Sequence, residues 1–197
     1  MKLPMRFSYS FTEPIKRHKS FVSLILVIVG VCIFCAVLAG IKFNNSSMLI
    51  SFSNVVVVKF LRDSIGFAGM LFSNIFVISV FSVIIIFSGI KRYTITIGLF
   101  FYGYYVYAQT LTLIAFILEY GIINTLVIAV CMLISMLATL FLLLHLFLVC
   151  LDCQNENMYF KRVIVSCFPI FIFMGIVLLC QNIVFLVLRN FIIVLVY

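Results

Sequence analysis

The sequence predicts an all-α protein, a polytopic membrane bundle of about five transmembrane helices with an added amphipathic helix at the outer interface. Composition is the first observation. Of 197 residues, 66% are hydrophobic and 9% charged, with a mean hydropathy of +1.39. A water-soluble domain cannot bury that much apolar surface. Run length is the second. Several apolar stretches exceed the roughly 20 residues that cross a hydrocarbon core of about 30 Å. No water reaches backbone groups at that depth, so such stretches must be helical. The third is a junction: runs 67–90 and 93–118 are joined only by Lys91-Arg92. That link forces an antiparallel hairpin, and its cations place the turn on the cytoplasmic side.

Residues 1–19 form a basic tail, with Lys2, Arg6, Lys16, Arg17, His18 and Lys19 opposed by Glu13. Pro4 and Pro14 discourage a long helix there. The expectation is a short cytoplasmic tail lying on anionic headgroups. Residues 20–197 form a single helical membrane domain. No small-residue cleavage site follows the tail, so the first span, 20–41, is expected to stay as an anchor. Its Gly30, Ala36, Ala39 and Gly40 offer small surfaces for close helix packing. Segment 48–63 differs. Ser51, Asn54 and Arg62 fall near one helical face with Lys59 beside it, while Phe52, Val56 and Phe60 fill the other. An amphipathic interfacial helix fits this pattern, although Val55 to Val58 also favours strand. Its role is a linker packed on the bundle or a docking surface for an external partner.

The hairpin's second arm carries Tyr102, Tyr104, Tyr105 and Tyr107, then Gln109, Thr110 and Thr112. Mid-span tyrosines imply a face turned toward other helices, where hydroxyls find partners. Asn74, Gly103, Tyr105 and Gln109 are the candidate intramembrane packing residues, with a polar conduit around Gln109 as the sharper alternative. Glu119-Tyr120-Gly121 marks an outer turn. Span 122–151 returns inward to the polar loop at Asp152, and span 163–184 crosses outward again. Arg189 then lies near the outer surface, and residues 190–197 either continue the helix or turn back into the interface. Basic residues concentrate at the expected inner ends, which predicts the amino terminus inside and the carboxyl terminus outside.

No convincing catalytic constellation emerges. Cys32-x-x-Cys35 and Cys150-x-x-Cys153 have the spacing of redox or zinc half-sites, but they belong to different helix regions and no histidine pair completes a tetrahedral set. His145 and Cys150 could suggest a cysteine peptidase, yet five residues apart on one helix they point in different directions. The seven cysteines otherwise serve as small apolar side chains. Asp63, Glu119, Asp152 and Glu156 all fall at expected ends or loops, which disfavours proton coupling. The net charge of +8 reads as lipid-headgroup contact rather than nucleic-acid binding. No cofactor and no enzymatic activity are expected.

At the central hairpin the chain resembles the stage II sporulation protein M family of endospore-forming bacteria. Phe72-Ser73-Asn74 supplies an approximate form of the family's lead-in to its second span. Gly89 falls at the inward turn, Gly103 where the third-span glycine belongs, and Tyr120-Gly121 at the outer turn. Asn124 echoes the polar start of the fourth span. The family often has proline at the inward turn and after the outer one, whereas this chain has none between Pro14 and Pro169. The likeness in order and spacing runs from the tail to the last span. It implies a non-enzymatic scaffold that recruits peptidoglycan hydrolases to the septum during forespore engulfment. Phe52, Lys59, Arg62, Glu119 and Arg189 would then line the partner-binding surface, and self-association is a further expectation. The competing expectation is a permease-type subunit of an ABC-type exporter, or a peptide-immunity protein, with a cytoplasmic ATPase on the inner loops.

Overall fold

The computed structural model describes residues 12–43, 66–91, 93–120, 122–154 and 159–196. Six helices account for almost all of them: α1 (Thr12–Arg17), α2 (Lys19–Phe43), α3 (Phe67–Ser88), α4 (Ile95–Tyr120), α5 (Ile122–Cys153) and α6 (Tyr159–Val196). Helices α2 to α6 are each long and apolar enough to cross a membrane. The protein is an all-α, multi-pass membrane bundle. The segment 48–63 lies outside the described residues.

The short α1 runs almost directly into α2. His18 N donates to Pro14 O at 3.0 Å and Val22 N to His18 O at 3.0 Å, so helical bonding carries across the break. Pro14 is tolerated because it sits in the first turn of α1, where a backbone N–H has no intrahelical acceptor. The described part of the tail does not lie free, since α1 packs against the end of α5. At the other end of the chain, the last span exceeds the 163–184 expected for it. Helix α6 has 38 residues, about 57 Å at 1.5 Å per residue, nearly twice the hydrocarbon thickness of about 30 Å. It stays helical through Pro169, which removes one backbone donor, and residues 190–196 continue it rather than turning back.

Helix α5 is the axis of the bundle. From Leu142 to Cys150 every residue except Leu144 is buried, so this half is enclosed on all sides rather than along one stripe. Helices α1, α3, α4 and α6 all contact it. Helix α2 is the opposite case. It leans on α4 and buries Ile25, Ala36 and Gly40, leaving Leu26, Val27, Val31, Phe34 and Ile41 exposed to lipid.

Small residues set the α2–α4 approach, as expected for helices that gain little from hiding apolar surface in lipid. A Cβ on Gly103 would stand 3.0 Å from Cys32 Sγ and 3.2 Å from Ile28 Cγ2, and one on Gly40 would stand 2.6 Å from Ile114 Cγ2. Gly30, read from the sequence as part of that surface, has nothing within 4 Å of its Cβ position. It sits on the exposed side of α2, where its smallness serves no contact.

Candidate functional site

Two ends of the bundle can be distinguished. One carries α1, the turn after α3 and the start of α6, and is called the tail face here. The other carries the end of α2 and the start of α3.

At the tail face side chains complete the end of α3, whereas beyond α5 the Gln154 Nε2 is buried without a hydrogen-bond partner. The last carbonyls of a helix lack intrahelical donors and need partners from elsewhere. In α3 all four have one. Ile85 O accepts from Gly89 N at 3.0 Å and from Ser88 Oγ at 2.8 Å. Ile86 O accepts from Tyr159 Oη at 2.8 Å, Phe87 O from Ile90 N at 3.3 Å, and Ser88 O from Thr94 Oγ1 at 2.7 Å, whose one proton is shared with Lys91 O at the same distance. Tyr159 thus ties the first turn of α6 to the last turn of α3. A Cβ on Gly89 would approach Cys150 Cβ to 2.6 Å, and a glycine there is what lets the turn press onto α5.

Asp152 lies in the last turn of α5, where a carboxylate opposes the helix dipole. Two basic groups answer it on one oxygen: Arg17 Nη1 stands 3.0 Å and His18 Nε2 2.9 Å from Asp152 Oδ1. The connection fastens the tail to the axial helix. Arg17 is well exposed, so screening keeps the pair's energetic contribution small. Nearby, Lys91 Nζ stands over the Tyr93 ring, 5.5 Å from its centroid. A hydrogen bond with Tyr93 is the main reason its ammonium is held above the ordinary lysine range. Lys91 therefore stays charged throughout the neutral range.

Cys150 and Cys153, the pair noted for its spacing, are buried here, and the fold adds Cys167 of α6. Among the described residues no group of three or more His, Cys, Asp or Glu side chains is arranged to hold a metal ion. Cys32 and Cys35 are elsewhere, on the α2–α4 groove. His145 is fully buried, with Nδ1 3.1 Å from Phe141 O and its ring 4.4 Å from the Phe141 ring. It is a packed residue of the axial helix.

The candidate packing residues fall on three different surfaces. Asn74 is buried on α3 and its Nδ2 donates to Asn182 Oδ1 of α6 at 3.2 Å. Asn182 Nδ2 in turn donates to Leu178 O at 2.6 Å. Gly103 faces α2. Tyr105 is buried with its ring 5.4 Å from that of Phe81. Gln109 lines a cavity of about 130 Å³ with Thr110, Met132 and Met136. Of the four mid-span tyrosines, Tyr102 and Tyr105 turn inward, and Tyr102 Oη donates to Leu140 O at 3.1 Å. Tyr104 is exposed, because the helical period places it on the far side.

Phe52, Lys59 and Arg62 lie outside the described residues. Glu119 belongs to α4 and Arg189 to α6, and their side chains fall outside the described set too. Asn182, Cys167 and Tyr159 escaped the sequence reading. A lone asparagine, cysteine or tyrosine in an apolar run is ambiguous until the helix facing it is known. No family model, curated protein or solved structure matches the chain.

Proposed function

We propose that this protein is a non-enzymatic membrane scaffold, a bundle that fastens its own tail face and presents its remaining surface to a partner. The observation that carries the reading is the fastening of α3's end and of the tail at this face. The last carbonyls of α3 are all occupied by protein groups, and the tail is fastened to Asp152. In the core, Asn74 and Asn182 bond to each other. Such an arrangement holds a shape; it does not set reactive groups around an open space.

The tail face is the cytoplasmic one in this reading. Lys16, Arg17, Lys19, Lys91, Lys161 and Arg162 stand at that end, whereas Lys42 and Arg189 stand at the other. That asymmetry follows the positive-inside rule. The partner then docks on the external end, and the resemblance at Phe72-Ser73-Asn74, Gly89, Gly103 and Tyr120-Gly121 names its class as peptidoglycan hydrolases of the sporulation septum. Arg62, Lys59, Phe52, Glu119 and Arg189 are the positions to vary there.

The test is a crosslinking pull-down of the tagged protein from native membranes of growing and of sporulating cells. Hydrolases recovered during sporulation, and lost when Lys59 and Arg62 are reversed in charge, are the expected result. Recovery of a cytoplasmic ATPase from growing cells would replace the scaffold with a permease-type subunit.

A further inference from the structure

Helices α5 and α6 part at one level of the bundle and leave a groove of about 260 Å³. Ile134, Ser135 and Ala138 of α5 line one wall, and Ile176, Cys180 and Gln181 of α6 line the other. Ile134, Ile176 and Cys180 are exposed, so the groove opens sideways to lipid. Its volume is below the roughly 300–1,000 Å³ usual for small-ligand sites and suits the side chains of another helix.

The groove carries a group that hydrocarbon cannot satisfy. Gln181 is only half-buried, and among the described residues its amide has no hydrogen-bond partner. Its neighbours differ in this. Asn182 bonds to Asn74 and to Leu178 O, and Ser135 across the groove donates to Met132 O.

Depth makes the vacancy costly. Asn74 meets Asn182 and Ser82 meets Met174, so eight residues along α3 match eight residues back along α6. Gln181 is therefore level with Ile75, eight residues after Phe67 and thirteen before Ser88, the two ends of the α3 span. Those separations are about 12 and 20 Å along the helix, farther than the side chain can reach. Water and headgroups do not come to it there, and an unsatisfied amide in hydrocarbon is strongly unfavourable.

This need specifies an occupant. An acyl chain offers neither donor nor acceptor. Every copy of this chain in one membrane, by contrast, carries Gln181 at the same depth and in the same orientation. A twofold axis along the membrane normal brings two such amides together at one level. An amide is both donor and acceptor, so the pair completes two reciprocal bonds. A different membrane protein would have to supply a polar group of its own at that depth, whereas a second copy does so by symmetry.

We propose that the α5–α6 groove seats a second copy of this chain, in a parallel twofold dimer joined by reciprocal hydrogen bonds between the two Gln181 amides. The inference rests on the multi-pass fold alone and stands or falls independently of the scaffold reading.

The test uses the full-length protein, purified and labelled with a donor or an acceptor fluorophore, in phosphatidylcholine vesicles. Energy transfer is followed over a range of protein-to-lipid ratios. Transfer in the unaltered protein should saturate. Gln181→Leu, which removes no bond within its own chain, should need about threefold to thirtyfold more protein per lipid to reach half-saturation. Ala138→Phe, which puts a ring into the groove, should weaken transfer as well. Phe100→Leu, at an exposed position of α4, should leave it unchanged. Absence of saturable transfer in the unaltered protein overturns the proposal. Half-saturation that Gln181→Leu does not move also overturns it, and so does half-saturation that Ala138→Phe does not move. A larger effect of Phe100→Leu than of either groove change overturns it too, by placing the contact elsewhere. Gln181→Met makes the same measurement should Gln181→Leu fail to accumulate.

Discussion

Helices α2 and α5 are both strongly apolar. Yet α2 lies on the rim with about a ninth of its span buried, and α5 forms the axis with more than half of its span buried (11% against 56%). In water, burial of apolar surface would draw both helices inward. In lipid that force between helices vanishes, and packing shape and hydrogen bonds decide position. The axial helix buries His145, Ser135 and Thr139, each bonded to a carbonyl one turn back in α5 itself, so its place rests on packing shape, while the rim helix buries Ile25, Ala36 and Gly40. Hydropathy thus reports that a helix is in the membrane and says little about where.

The largest effect should come from the axis. Phe147 is fully buried, with its ring 5.4 Å from that of Phe21, and a Cβ on Gly98 would come within 2.5 Å of its Cζ. Phe147→Ala is expected to lower stability toward the lower end of the roughly 3–5 kcal/mol typical of buried aromatics, since the unfolded reference remains in lipid. Phe34→Ala on α2, an exposed position, should change it by less than about 0.5 kcal/mol. Denaturation by sodium dodecyl sulfate, followed by circular dichroism, measures both. Equal effects would dissolve the distinction between axis and rim.

The Asn74–Asn182 bond sharpens the comparison by asking what polar contacts supply. Asn182→Leu leaves the Asn74 amide without this partner and should be destabilising. The double change Asn74→Leu with Asn182→Leu should recover part of the loss. A double-mutant cycle is expected to return a coupling of about 0.6–2 kcal/mol. A coupling near zero would mean that the pair is held by the helices around it rather than holding them.

A smaller effect is expected at the tail face. Tyr159→Phe removes the donor to Ile86 O and should cost about 1 kcal/mol, with faster amide exchange in the last turn of α3 than in its middle. Smallest of all, Asp152→Asn should change global stability by roughly 0.2–1 kcal/mol while freeing the tail. Limited proteolysis within residues 12–19 should then quicken several-fold. Unchanged cleavage would show that α1 is held by packing alone.

Much of the helical framework is readable from residues alone. The hairpin at Lys91-Arg92 and the polar break at Asp152 appear where runs of side chains incompatible with a hydrocarbon core interrupt runs that require it. Boundaries shift by a few residues: α4 starts at Ile95 rather than at residue 93, because Thr94 is used to complete α3. The long last helix was harder, since Arg189 and Asn190 look like an exit from the membrane, yet the apolar residues 191–196 contain no helix breaker. Among candidate residues, Asn74 could be chosen because an amide in lipid needs a partner, while the partner itself, Asn182, lies 108 positions away. Gly30 and Gly40 are indistinguishable as letters, and only the neighbouring helix separates an open glycine from one pressed against Ile114.

By itself the sequence determined that this chain is a multi-pass helical membrane protein, because hydrocarbon admits few other ways to satisfy a backbone. Which helix stands at the centre, which amides meet, and how the tail is fastened to α5 were decided by tertiary structure. Those outcomes depend on shape and partner geometry between segments far apart in the chain, and no run of neighbouring residues encodes them locally.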